Sequence, residues 1–325
     1  MNTRCKLIRV AAAIVVTFCS VTAQEIETPA FRVGLDLWST TGDSDWQTAF
    51  TAVDPVLGTA FGGSSLVWDD LDSEMAVVTA EVGLSSHFSL MGRYGFGSIS
   101  GGVSTDSDFI TVPRLGVDNL LLSESIADTG GDTVLYDIAL YCALSSLFGR
   151  PASAADIGVF VGYQCYEDEL NMRSGVQTAF AGESLYEPFP APLDSDFDFK
   201  WEGIRAGALI RVPLAYRFDL AGSLAMVLEA EYEGEGYWNL RDDLRRTAPN
   251  FAQSADSGTG LELAVSVSYR PWEHLGLRLG YDILDWKAED GRNEIFLADG
   301  SSEVMELEEV NSSRSGVFGG VFGQW

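Results

Sequence analysis

The residues able to carry proton chemistry are few and poorly matched to one another. The chain has two histidines, His87 and His274, and each sits in a short link between apolar stretches. The densest carboxylates lie elsewhere, in Asp106-Ser107-Asp108, Asp194-Ser195-Asp196-Phe197-Asp198 and Arg241-Asp242-Asp243. Paired carboxylates can share one proton and activate water, as an aspartic dyad does at acid pH. They can also take up a hard divalent cation, and on that reading Asp194, Asp196 and Asp198 are candidate ligands for Ca2+ or Mg2+. No other cofactor is expected. A histidine base must come within hydrogen-bond reach of its partner. Here a strand of about ten residues, tens of ångströms at the usual rise, separates the histidine links from the acidic runs. No P-loop, G-x-S-x-G, H-E-x-x-H or C-x-x-C occurs.

The elements that hold these residues have period two. Apolar residues alternate near 31–40, 75–84, 88–98, 133–145, 156–168, 201–213, 219–236, 260–270, 275–286 and 312–325, which predicts ten strands. The links near 85–87, 147–155, 214–218 and 271–274 are short. Those near 41–64, 101–131, 170–198, 239–258 and 290–310 are long, and long and short alternate. That rhythm predicts an all-β, ten-stranded antiparallel up-and-down transmembrane barrel with both termini periplasmic. Tyrosines and tryptophans near strand ends (Trp38, Trp68, Trp201, Tyr237, Trp238, Tyr269, Trp272 and Trp286) read as interfacial girdles. The last strand ends on Trp325, a terminal aromatic of the kind the barrel-assembly machinery of the outer membrane receives.

On the other parity stand small and charged residues, among them Arg32, Asp36, Glu81, Arg93, Asp137, Arg205, Arg211, Glu262, Arg270, Arg278, Asp282 and Arg314. Glu229, Glu231, Glu233 and Glu235 share one face of one strand, a hairpin away from Arg205 and Arg211. A barrel this narrow is filled by side chains, so the pattern predicts an ion-paired lumen that is occluded. Cys142 and Cys165 lie on consecutive strands. A symmetric hairpin would bring them within bridging distance and a one-step register shift would separate them.

Composition narrows the functional classes. Asp and Glu number 48 against 20 Lys and Arg, a formal charge of −28, which excludes a nucleic-acid partner. An apolar content of 46% excludes disorder. No apolar run is long enough for a spanning helix. Met1–Arg9 is basic, Val10–Cys19 apolar, and Val21-Thr22-Ala23 a small-residue cleavage site. Residues 1–23 are therefore expected to be a signal peptide, with 24–325 forming the barrel. The expected partners are outer-membrane lipid and the assembly machinery, with the protein a monomer at the surface of a Gram-negative cell.

From about Ser65 onward the chain resembles the omptin family of ten-stranded outer-membrane aspartyl-type proteases. Leu66-Val67-Trp68 is similar to that family's L-x-W. Gly101-Gly102, leading into Asp106-Ser107-Asp108-Phe109, is similar to its glycine pair before D-x-D-aromatic, and Gly162-Tyr163-Gln164 to its G-Y-Q. Tyr232-Glu233-Gly234, with Asp242 eight residues on, is similar to the segment bearing its D-x-H dyad. The resemblance implies that Asp106 and Asp108 flank an attacking water and that Asp242 orients the base. The histidine of D-x-H is Leu244 here, which accepts no proton. The family's acidic specificity residue in the first long loop is also missing, with Trp46 nearby, and its lipopolysaccharide site needs basic residues on the lipid-facing wall, whereas residues 24–325 hold two lysines and mostly inward arginines. The expectation is a barrel with acidic external loops, non-catalytic, serving surface structure, adhesion or cation binding. The alternative is an omptin-like endopeptidase with altered catalytic residues.

Overall fold

The alternating segments are strands, and they run well beyond what a bilayer requires. The computed structural model describes residues 31–54, 58–144 and 155–325; the expected leader lies outside them. The elements are β1 (Phe31–Asp54), β2 (Gly58–Gly83), β3 (Phe88–Val112), β4 (Val117–Ala143), β5 (Asp156–Phe180), β6 (Glu183–Pro188), β7 (Ser195–Pro213), β8 (Phe218–Tyr237), β9 (Phe251–Tyr269), β10 (Leu275–Phe296) and β11 (Ser302–Gln324). Ten of these strands close an antiparallel barrel, β1 pairing β11 at the seam and β5 pairing both β4 and β7. The eleventh, β6, is a short addition hydrogen-bonded to β5. At the seam Phe31 and Trp325 exchange backbone hydrogen bonds of 2.9 and 2.8 Å, and their rings stack with centroids 6.1 Å apart. Both ends of the barrel wall therefore lie at the short-turn end.

A spanning strand needs roughly 9–11 residues, whereas β4 has 27. The exposed outward apolar residues, such as Leu37, Ile138, Val161, Leu224, Val265 and Leu279, form a belt around the short-turn half. Beyond that belt the wall continues, so most of the expected long loops are paired strand. The exception is 238–250, between β8 and β9.

The inward and outward faces exchange roles above the belt, and β-bulges make the exchange. An extra residue shifts a period-two pattern onto the other face. In β8 the bulge is at Glu229, with φ of 52°, where the register against β9 skips between Val227 and Ala230. Below it Leu224, Met226 and Leu228 face outward and are exposed; above it Ala230 and Tyr232 are buried inside. Asp70 in β2 (φ 54°) marks a similar shift. This overturns the expected lumenal ladder. Glu229, Glu231, Glu233 and Glu235 are exposed on the outer wall, where Glu233 pairs with Lys200 at 2.9 Å.

Three layers fill the lumen. At belt height Arg93 on β3 donates to Asp137 at 2.6 Å, Asp282 at 2.8 Å and Glu262 at 3.0 Å. Strand β9, which carries Glu262, is diametrically opposite β3. Arg205 joins Glu262 at 2.9 Å and Asp137 at 3.1 Å. Arg211 reaches Glu81 across the barrel at 2.9 Å, and Arg278 pairs with Asp36. One layer up, Arg314 on β11 meets Asp168 on the opposite strand, β5, at 2.9 Å; Tyr166 donates to the same oxygen at 2.5 Å.

The top layer is aromatic. Phe197 stacks on Trp68 with centroids 4.9 Å apart and on Phe251 at 5.6 Å; Trp201 stacks on Trp286 at 5.8 Å. Such pairs add about 0.5–1.5 kcal/mol each to the gain from burial. Four members of the expected girdle, Trp38, Trp68, Trp201 and Trp286, are thus buried lumenal residues, and Trp238 packs against the same core. Trp272 and Tyr269 are exposed at the short-turn end. The cysteines do not bridge. Cys142 pairs with Val159 and Cys165 with Tyr136, because the β4–β5 hairpin is centred three residues earlier than the cysteine midpoint, and both thiols are free.

This topology predicts where a protease added to intact cells will cut. A broad-specificity protease such as proteinase K should cleave within 238–250, near the exposed Arg246, and should leave the links at His87 and His274 intact. Mass spectrometry of the released fragments gives the result, and cleavage beside His87 would reverse the orientation.

Candidate functional site

The acidic pair sits on the rim of the aromatic layer. Asp106 is opposite Leu66 on β2 and Asp108 opposite Ser64. Directly paired residues share a face, and Leu66 is a buried lumenal residue, so both carboxylates face inward. Ser123 donates to Asp108 at 2.7 Å and Ser64 to Asp106 at 3.5 Å. Arg241, from the 238–250 segment, acts electrostatically on both acids and is held by two hydrogen bonds to Asp243, at 2.8 and 2.7 Å. Burial, then the neighbouring charge of Asp108, pushes the Asp106 carboxyl up to about 7, with Arg241 and Ser64 working the other way.

The remaining expected site residues do not join this pair. Asp242 is exposed and ion-paired to Arg246 at 3.2 Å. The expected convergence of Asp106, Asp108 and Asp242 is replaced by two acids and a guanidinium, because the turn aims Arg241 inward and Asp242 out. Leu244 is buried and forms a bridge with Leu297. Around it Arg245 N–H donates to the Phe296 carbonyl at 2.8 Å, and Ala298 N–H to that of Asp243 at 2.9 Å. Asn250, fully buried, donates to the Trp238 carbonyl at 3.1 Å and accepts from Trp238 N–H at 3.0 Å. Trp46 lies in the core, tilted against Phe197 and Phe251.

Both histidines are at the far end, where His274 Nδ1 lies 3.0 Å from the Gln324 carbonyl and His87 Nδ1 lies 2.7 Å from the Ser86 hydroxyl. Eighteen residues of β3 lie between His87 and Asp106, roughly 60 Å of strand. Asp194 and Asp196 pair with Arg173 at 2.9 and 3.2 Å. Asp198 points outward, its carboxyl pushed up to about 6 by partial burial and then by Glu169 and Asp196. Among the described residues no group of three or more His, Cys, Asp or Glu is arranged to hold a metal ion.

Arg241 and Asn250 were not singled out from the sequence. Arg241 stands directly before the Asp242-Asp243 run, which reads as acidic, while Asn250 follows a proline in a segment without alternation. The aromatic layer did leave a signal, since Phe197, Phe199 and Trp201 recur at the spacing of one strand face.

A closed antiparallel barrel with an apolar outer belt, long strands rising beyond it and a polar lumen at belt height is an outer-membrane barrel. The chain belongs to the family described as Protochlamydia outer membrane protein, whose model matches residues 43–316. In structure it is similar to the outer membrane protease OmpT of Escherichia coli, with a TM-score of 0.73 and 10% identity over 94% of this chain and 100% of that one. The toluene transporters TbuX of Ralstonia pickettii and TodX of Pseudomonas putida also align, at 10% identity and TM-scores of 0.33 and 0.24. They cover 93% and 92% of this chain and 90% of each of theirs. No curated protein matches it in sequence. The omptin-like fold expected from the sequence is thereby established, and so is residence in the outer membrane.

The raised Asp106 carboxyl makes a prediction about pH. The ordinary value is 3.8 and the folded value about 7, so the folded protein keeps a proton that the unfolded chain releases. The stability this gives is complete below pH 4 and is lost as pH rises through 7. Asp106→Asn is neutral throughout. From pH 4 to pH 8 the wild type should lose on the order of 2 kcal/mol relative to Asp106→Asn, allowing for solvent screening. Denaturant unfolding in detergent measures it, and parallel pH profiles would remove the shift.

Proposed function

We propose that the chain is a sealed, non-catalytic outer-membrane barrel that carries a rigid acidic wall beyond the lipid. One observation carries this reading. The group facing Asp106 and Asp108 from the 238–250 segment is the guanidinium of Arg241, while Leu244 is buried against Leu297. A guanidinium does not give up its proton in a protein and cannot serve as a base. The aromatic layer packs the lumen directly beneath the acids. Outward carboxylates such as Glu231, Glu233 and Glu235 suit surface structure or adhesion. On this reading Ca2+ and Mg2+ are diffuse counterions of that wall, and the ion-paired lumen keeps the barrel closed to solutes.

A second reading has one observation in its favour. Asp106 holds its proton near neutrality beside Asp108, the state of a carboxylate pair that shares one proton. Taken with the similar fold of the outer membrane protease OmpT, that state would make the chain an endopeptidase working at acid pH without histidine. Wild type, Asp108→Ala and Leu244→His should be incubated with basic peptides at pH 5 and pH 7, and the products read by mass spectrometry. All three should be silent, because an imidazole at 244 is placed against Leu297. Cleavage by the wild type that Asp108→Ala abolishes would overturn the non-catalytic reading.

A further inference from the structure

The short-turn half of the lumen holds a cavity of about 460 Å³ beneath the Arg93 network, reaching the rim at Pro213, Asp219 and Gln324. That volume is in the range of small-molecule sites. Its arginines are almost all answered by carboxylates. Arg93 and Arg205 share Asp137 and Glu262; Arg211 has Glu81, Arg270 has Asp219 and Arg278 has Asp36.

Arg32 is the exception. Among the described residues it has no carboxylate partner, its Nε is buried without an acceptor, and its guanidinium lies over the Phe322 ring at 3.9 Å. Arg211 and Arg278 repel it, while Glu81, opposite it on β2, and Asp219 attract it without forming an ion pair. Three guanidiniums thus gather on one side of the cavity, two of them ion-paired and Arg32 not. A buried donor left without an acceptor is costly, and the ring under the guanidinium supplies none for Nε. Met91, Leu209 and Phe318 supply apolar wall in the same cavity.

We infer that this cavity is a binding site for a small organic anion that enters from the end bearing the termini. The anion's carboxylate or phosphate head pairs with Arg32, flanked by Arg211 and Arg278. Its apolar part lies against Met91, Leu209 and Phe318. An anion there gives Arg32 the ion pair it lacks without disturbing the Arg93 network.

The test is the unfolding temperature of the purified barrel in neutral detergent, at constant ionic strength, with hexanoate, inorganic phosphate or hexanol as probes. Folding of each variant is checked first by its migration on gels before heating. Hexanoate should give a saturable rise in the wild type, as a ligand of the folded state does. Phosphate should give a weaker rise through its charge alone, and hexanol none. Arg32→Ala should weaken hexanoate by about tenfold or more, Arg32→Lys by less, and Arg246→Ala, in the exposed 238–250 segment, not at all. No saturable rise with either anion in the wild type would overturn the proposal. An equal response in Arg32→Ala, or one as large with hexanol as with hexanoate, would do so too.

Discussion

Arg93 spans the lumen, and the rest of the barrel is arranged around that span. Its guanidinium touches carboxylates on β4, β9 and β10, one of them on the strand diametrically opposite. Each of these charges, alone in a lumen inside the hydrocarbon belt, would cost several kcal/mol. They are tolerable only as a complete set, and the set closes only if the wall is narrow enough for one arginine to reach across. A ten-stranded barrel meets that condition. Arg205 supplies the second cation, because Asp137, Glu262 and Asp282 exceed what Arg93 alone can neutralise. Arg314 repeats the device one layer up with Asp168 and Tyr166.

Above these layers the two faces of the wall trade places. In the short-turn half the outside is apolar and the inside charged; in the other half aromatics fill the inside and carboxylates coat the outside. The Glu229 bulge shows how little the change requires, since one added residue turns Tyr232 inward and the following glutamates out. The consequence for function is direct. The acid pair of β3 rests on the rim of a packed core, with an arginine above it, and the buried Asn250 holds the base of the segment that delivers that arginine.

Much of this was legible in the residues. The alternation, the order of long and short links and the inward parity of Arg32, Asp36, Glu81, Arg93, Asp137, Glu262 and Asp282 all follow from period two. The reversal at Glu229 does not. Leu228 and Ala230 share a parity in sequence, so a bulge between them leaves the pattern looking continuous while the faces exchange. Phe197, Phe199 and Trp201 carried the strand spacing in plain view, but Asp194, Asp196 and Asp198 beside them read as a loop. The cysteine register depended on the centre of the β4–β5 turn, which spacing alone does not fix. At the rim the loss of the histidine at Leu244 was readable directly. The inward turn of Arg241 depends on backbone contacts of the 238–250 segment that no motif encodes.

On the proposed reading, cross-lumen ion pairs and the aromatic layer together seal the barrel. Single-channel recording of the purified protein in planar bilayers tests it most directly. A sealed barrel gives a flat baseline under applied voltage, with no discrete conductance steps at neutral pH. Steady open-channel conductance from the wild-type protein would contradict it, because ions would then be crossing the level at which Arg93 meets Glu262.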